Sequence, residues 1–347
     1  MKAAVLHGRM DLRVEEVEKP AIGPEDVLVA TKAVGICGSD LHLYRGTWTI
    51  ETPRIIGHEM TGEVVEVGEK VSGWRTGARV AVEPVVSCGK CYWCKENTVN
   101  NYFCEEYYEN VVGFFGLDGA FAEYVRVPST CLYRVPDSLS YEEGALTEPL
   151  ACALRGVDNI GIQSGDSVTV IGQGTLGLLF VQLARIGGAS KIFALDVDEF
   201  KLKKAQELGA DISIDPTKED APAMIKEHTN DRGSDVVIEA VGSIQTYEQS
   251  LQLARRGGRI CLFGICPQGA MKVDAFEAYR KELRISWVFG SPRGTFRRSV
   301  DLLANGRVRA APIITHKFPL EDILDGLRIM DKKQGNAIKI VVEPQQN

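Results

Sequence analysis

Along the first 155 residues the apolar positions come in short bursts. Asp26-Val-Leu-Val-Ala30, Gly62-Glu-Val-Val-Glu-Val67, Ala78-Arg-Val-Ala-Val82 and Ala120-Phe-Ala-Glu-Tyr-Val125 are each bounded by Gly, Pro or Asp. Runs of this length, broken by turn formers, predict strands, and their rhythm suits a small irregular β-barrel better than a parallel sheet. Ser140-Tyr-Glu-Glu143 is a capping box and predicts a helix start. Beyond the polar stretch Gln163–Asp166 the pattern changes. From about 156 to 292, apolar runs such as Val168–Ile171, Lys191–Leu195, Asp235–Val241, Arg259–Phe263 and Leu283–Phe289 alternate with helical periodicity. Strand–helix alternation predicts an α/β domain built on a doubly wound parallel sheet. The tail, 293–347, holds a helix ending at Ala304-Asn-Gly306 and a last apolar strand, Ala337–Val342, expected to return to the first domain. No internal repeat is visible.

The junction after Ile171 has its own chemistry. Val168-Thr-Val-Ile171 runs into Gly172-Gln-Gly174-Thr175-Leu176-Gly177, and a helical pattern follows until Gly187-Gly188. Strand, Gly-x-Gly-x-x-Gly turn and helix in that order form a dinucleotide-binding fingerprint. The glycines clear space for a pyrophosphate, and the helix N-terminus supplies free N–H groups and positive dipole. The next apolar strand ends in Asp196, 19 residues on from Gly177, where a carboxylate accepts the ribose 2′-hydroxyl and repels a 2′-phosphate. NAD is therefore expected rather than NADP.

Length and composition narrow the setting. At 347 residues two domains are expected, and 44% hydrophobic with 25% charged residues is ordinary globular composition. No apolar run approaches a membrane span. A net charge of −7 without a basic stripe makes nucleic acid an unexpected partner. Nine cysteines and an N-terminus unlike a secretory signal point to reduced thiols, metal ligands and a cytoplasmic setting.

Two clusters of metal-ligand residues lie in the first domain. Cys37-Gly-Ser39-Asp40-Leu-His42 precedes Gly57-His58-Glu59 by about 20 residues, and Glu148-Pro149 follows later. A thiolate, an imidazole and one or two carboxylates from separate segments make a catalytic zinc set that leaves a coordination position open. His58 and Glu59 are adjacent, so both can face one ion only if the chain bends there, and Gly57 permits a bend. The second cluster is Cys88-Gly-Lys-Cys91-Tyr-Trp-Cys94 with Cys104, in a lobe spanning about 85–110. Four thiolates close a tetrahedral site, which is the pattern of structural zinc. A nucleic-acid-gripping zinc ribbon conflicts with the acidic neighbours Glu105, Glu106 and Glu109.

Taken together, these motifs resemble the zinc-dependent medium-chain alcohol dehydrogenases, and within them the sorbitol or polyol dehydrogenase branch. The resemblance runs from end to end: Cys37-Gly-Ser39-Asp-Leu-His42, Gly57-His58-Glu59-Met-Thr-Gly62, the Cys88/Cys91/Cys94/Cys104 lobe, Asp118-Gly-Ala-Phe-Ala-Glu-Tyr, Thr147-Glu148-Pro149, the Gly172 turn and Thr315-His-Lys-Phe-Pro-Leu. It implies a GroES-like β-barrel catalytic domain joined to a Rossmann domain, a cleft between them, and a homodimer or homotetramer. It implies Cys37 and His58 as catalytic zinc ligands with Glu59 as the third, and Glu148 beside the metal, bound directly or through water. Ser39 and His42 match the family's proton relay, and Arg293 resembles an arginine that reaches the cofactor. One departure stands out: nine residues separate Cys94 from Cys104, two more than the family pattern, which puts the structural site in question.

The expected activity is zinc- and NAD-dependent oxidation of a secondary alcohol of a polyol, sugar or cyclitol. Threonine or a vicinal diol is the near alternative. A zinc-free quinone or enone reductase, or a non-enzymatic relative, is disfavoured by the Cys37/His58/Glu59 set. Tyr44, Arg45, Trp48, Phe114 and Phe115 are the residues expected to face substrate.

Overall fold

The fold is taken from a computed structural model, which describes residues 1–96, 101–266, 269–292 and 294–345. The chain forms two compact units, one made of Met1–Ala151 with Ser291–Asn347 and the other of Cys152–Gly290.

The first unit is built around the strand Asp26–Gly35, whose ten residues are almost all buried. A strand buried on both faces needs partners on both edges, and this one has three. It pairs antiparallel with Glu59–Val67, Tyr124–Pro128 and Lys339–Glu343. The seven-stranded sheet continues through Arg79–Val82 and Leu132–Arg134 on one side and Ile314–Pro319 on the other. Val27, Val29, Val34, Ile36, Met60, Val64, Val80 and Val82 form its core. A three-stranded sheet of Lys2–Gly8, Asp11–Glu16 and Arg54–Ile55 adjoins it. The run Ala120–Val125, expected to be a strand throughout, is one only from Tyr124, and the strand extends to Pro128. Phe121 and Ala122 are fully buried, so their apolar character reflects packing rather than ladder pairing. The expected capping box at Ser140 forms: Ser140 Oγ accepts from Glu143 N at 3.1 Å, and Ser140 N donates to Glu143 Oε2 at 3.3 Å.

The second unit carries a six-stranded parallel sheet in the spatial order Ile212–Ile214, Lys191–Leu195, Ser167–Ile171, Ser234–Glu239, Ala254–Leu262 and Arg284–Trp287. Numbered along the chain, that order is third, second, first, fourth, fifth, sixth, the doubly wound order whose switch point lies beside the first strand. Ser167–Ile171 is buried at every position, as a strand covered on both faces must be. Phe193, Leu195, Ile214, Val237, Ile260 and Leu262 form the core on one face. Among the described residues no helix is long and apolar enough to cross a membrane.

Candidate functional site

In the second unit the glycine turn divides its labour. Gly172 has φ +88°, and a Cβ there would lie 2.5 Å from Val241 Cγ2. At Gly177 a Cβ would sit 1.8 Å from the carbonyl oxygen of Gly172, so helix and turn touch only because position 177 is glycine. Gly174 is different. It caps the helix Thr175–Ile186, and a Cβ there would meet nothing within 4 Å. That open space in front of the helix N-terminus, with Thr175 and Leu176 in its first turn, suits a pyrophosphate. Asp196 follows the strand Lys191–Leu195; its Oδ2 accepts from Gln173 N at 2.6 Å and its Oδ1 from Asp198 N at 3.0 Å. The carboxylate is thus anchored to the turn itself. Arg293 lies outside the described residues.

In the first unit, Cys37 caps the short helix Gly38–Tyr44, which carries Ser39 and His42. Gly57, at φ +95°, supplies the bend ahead of the strand Glu59–Val67; a Cβ at this position would strike the Phe121 ring at 2.7 Å. The bend lets adjacent residues reach one place. Ligand atoms of Cys37, His58 and Glu59 lie within 4.8 Å of one another. Glu148, on the helix Thr147–Ile160, is buried but is not among the atoms that converge there. The geometry thus brings together one thiol, one imidazole and one carboxylate.

Two buried residues that the sequence reading did not assign stand behind this trio. Asp40, fully buried, accepts from Cys37 N at 2.8 Å through Oδ2, and its Oδ1 faces His58 Nδ1 across 3.6 Å. Neither of those facing atoms has a hydrogen-bond partner among the described residues. Burial alone would lower the pKa of His58, but the Asp40 carboxylate and the Cys37 thiol hold it well above the ordinary value. A carboxylate behind a ligating histidine orients the ring and raises its basicity. Lys339 is the second. Its Nζ donates to Glu59 Oε2 at 2.5 Å and to the Ile36 carbonyl at 3.0 Å, with both side chains 2% exposed. Burial works against this ammonium, yet the charges of Glu59, Cys37 and Glu148 raise its pKa. Gly35 makes room for the pair, since a Cβ there would lie 2.1 Å from Glu59 Oε2.

The donor set fits a divalent, zinc-like cation: one soft and two harder ligands, converged and largely buried. Beside it the Ser39 hydroxyl is buried with no hydrogen-bond partner among the described residues, as a group awaiting a substrate hydroxyl would be. Phe114 packs against the His58 ring at 4.7 Å. His42 is half-buried, stacked on Trp48 and bonded through Nδ1 to Thr47 Oγ1 at 2.9 Å.

The four cysteines of the lobe also converge within 4.8 Å. Cys88 Sγ lies 3.9 Å from Cys94 Sγ, and backbone N–H groups of Cys88 and Cys91 point at Cys104 and Cys88 sulfurs at 3.4 Å. The Glu105 backbone N–H pulls the Cys91 thiol to about 6, while burial pushes Cys94 up to about 12. Four thiolates this close repel one another unless a cation neutralises them. Residues 97–100, in the longer segment between Cys94 and Cys104, lie outside the described residues.

Asp40 and Lys339 left signals in the chain. A lysine inside Ala337-Ile-Lys339-Ile-Val-Val342 needs a buried counter-charge, and Asp40 sits between the two residues already singled out in its motif.

Comparison with known proteins places the chain. Residues 23–137 match the model of the alcohol dehydrogenase GroES-like domain, and residues 175–305 match that of the zinc-binding dehydrogenases. Sorbitol dehydrogenase of Bacillus subtilis is 34% identical over 99% of this chain and 97% of its own length. The (R,R)-butanediol dehydrogenase of the same organism is 36% identical over 99% of this chain and 100% of its own. A zinc-binding dehydrogenase of Sinorhizobium meliloti, solved bound to NADP, superposes with a TM-score of 0.93 at 36% identity, covering 99% of each chain. The chain belongs to the zinc-dependent medium-chain alcohol dehydrogenases, in their sorbitol (polyol) dehydrogenase branch.

Proposed function

We propose that this protein oxidises a secondary alcohol of a polyol, sugar or cyclitol to the ketone, with NAD as hydride acceptor and zinc at the Cys37/His58/Glu59 site. The convergence of those three ligand atoms within 4.8 Å, beside the unpartnered Ser39 hydroxyl, carries the reading. Zinc held there supplies a Lewis acid that makes an alcohol proton easier to lose. The protein's own groups do the rest. Asp40 orients the His58 ring, Lys339 holds one oxygen of Glu59, and the hydroxyl of Ser39 accepts the alcohol proton as it gives up its own toward His42. His42 passes that proton outward. Glu148 adds a buried carboxylate beside Lys339, keeping the region polar enough for a hydroxylated substrate. A second zinc would be held by Cys88, Cys91, Cys94 and Cys104, a donor set suited to a structural role.

NAD is favoured by Asp196. The Sinorhizobium relative carries NADP, but in this chain the carboxylate is fixed against the turn by Gln173 N, and a 2′-phosphate would meet its charge. The vicinal-diol reading stays in view because of the butanediol dehydrogenase relative. Nine free cysteines, four of them converged in one lobe, favour a reducing cytoplasm. Self-association is favoured by the strand Arg284–Trp287, which is paired on one side only and leaves Trp287 64% and Phe289 51% exposed; a monomer at micromolar concentration in sedimentation equilibrium would refute it.

The decisive assay measures initial rates with NAD over sugar alcohols, inositols, (R,R)-2,3-butanediol and L-threonine. Fastest turnover of a polyol or cyclitol supports the proposal. Turnover of threonine or butanediol alone would replace it with the corresponding reading.

A further inference from the structure

His42 lies in the last turn of the helix Gly38–Tyr44, and the chain then folds back over it. Thr47 N and Trp48 N both donate to the His42 carbonyl, at 3.0 and 3.2 Å. The fold-back brings Thr47 Oγ1 to 2.9 Å from His42 Nδ1 and 3.2 Å from the His42 carbonyl oxygen. Trp48 lies flat against the imidazole, with centroids 4.7 Å apart and planes 13° apart. The ring is therefore fixed in its plane by stacking and at one edge by a hydroxyl.

The hydroxyl has one proton to give. If it gives that proton to the His42 carbonyl, as a third donor beside the Thr47 and Trp48 N–H groups, its lone pair is free to accept from Nδ1–H, and both contacts are hydrogen bonds. If it gives the proton to Nδ1, the contact with the carbonyl holds no proton and only one bond forms. Two bonds outweigh one, so neutral His42 carries its proton on Nδ1 and leaves Nε2 bare. Burial, and then the positive charge of Arg45, hold its pKa below the ordinary value and favour the neutral ring.

We propose that Thr47 is a positioning residue that locks His42 in the Nδ1–H tautomer, leaving Nε2 as the acceptor for the proton released by the alcohol. The inference rests on the relay role given to His42 above. In the step, Nε2 takes up the proton, the imidazolium keeps its Nδ1–H bond to Thr47, and Nε2 then releases the proton to water. The same tautomer is restored, with no ring flip between turnovers.

The test is 15N–1H correlation spectroscopy of 15N-histidine-labelled protein at pH 8, where five histidines give five ring systems and His42→Gln identifies the one of interest. Wild type and Thr47→Ser should show His42 protonated on Nδ1 with Nε2 bare, and Thr47→Val should lose that pattern. Thr47 is exposed, so the valine variant retains the fold. With NAD and the faster of D-sorbitol and (R,R)-2,3-butanediol, kcat should fall about 10-fold in Thr47→Val and recover in Thr47→Ser. His42→Gln should cost about 100-fold, the lower range for general acid–base catalysis. An Nε2–H tautomer in wild type, or an unchanged pattern in Thr47→Val, overturns the proposal. Full activity in His42→Gln, with the spectra as expected, overturns the relay instead and leaves the tautomer lock standing.

Discussion

Removing Lys339 tests how the candidate metal site is held together. Its ammonium and the Glu59 carboxylate are each 2% exposed and meet at 2.5 Å, so solvent screening discounts their interaction little. Taking one partner from such a pair leaves the other buried and uncompensated, at a cost of about 3–5 kcal/mol. Lys339→Met keeps the stem and removes the charge, together with the bond to the Ile36 carbonyl. The assay is hydrogen exchange of metal-free protein, followed by mass spectrometry on peptides covering Asp26–Gly35 and Lys339–Glu343, the two strands that pair beside the site. At about 1.4 kcal/mol per tenfold change, exchange there should quicken by about 100- to 1,000-fold or more. Glu59→Gln should cost a comparable amount. The double variant should cost less than the two together, because neither partner then sits unpaired. Strict additivity, or a Lys339→Met loss under about 0.5 kcal/mol, would refute the reasoning.

Other consequences are equally direct. Asp196→Ser should weaken NAD and relax discrimination against NADP; a wild-type preference for NADP in kcat/KM, read side by side for the two coenzymes, would remove Asp196 from its role. In the nucleotide unit, burial alone would raise the pKa of Asp235, but hydrogen bonds from Ser167 and the nearby Arg255 hold it below the ordinary 3.8. A depressed carboxylate contributes stability that is present above its unfolded value and lost as pH falls through the folded one, so the window lies below about pH 4. Urea unfolding from pH 6 to pH 3 should therefore fall less steeply with acid in Asp235→Asn than in wild type, and parallel profiles would contradict this.

How much of this was legible in the chain depended on how local each signal is. The turn at Gly172 was readable because strand, glycines, helix and Asp196 follow one another within one continuous stretch, and the parallel sheet follows from strand–helix alternation. The branching of the first unit was not. Asp26–Gly35 pairs with a strand more than 300 residues away, and periodicity says nothing of partners. Ala120–Val125 misled for a related reason: its apolar residues fill a core at a point where only a bridge, Ala3 to Ala122, replaces the ladder. At the site, residue types named Cys37, His58 and Glu59, since each is a metal donor in a recognisable motif. Lys339 and Thr47 are ordinary residues whose importance lies in what they touch. Glu148 has the right chemistry, yet residue type alone does not say that its oxygens lie outside the group converging within 4.8 Å.

The central claim is that Cys37, His58 and Glu59 hold a zinc ion without which no hydride moves. It is tested most directly by counting metal and turnover together in wild type, Cys37→Ser and Cys88→Ser, before and after dialysis against a strong chelator. The account predicts that Cys37→Ser loses the metal of its own site and all activity while keeping the thiolate-lobe metal, and that zinc restores chelated wild type. Full turnover in wild type stripped of metal, or in Cys37→Ser, would contradict it.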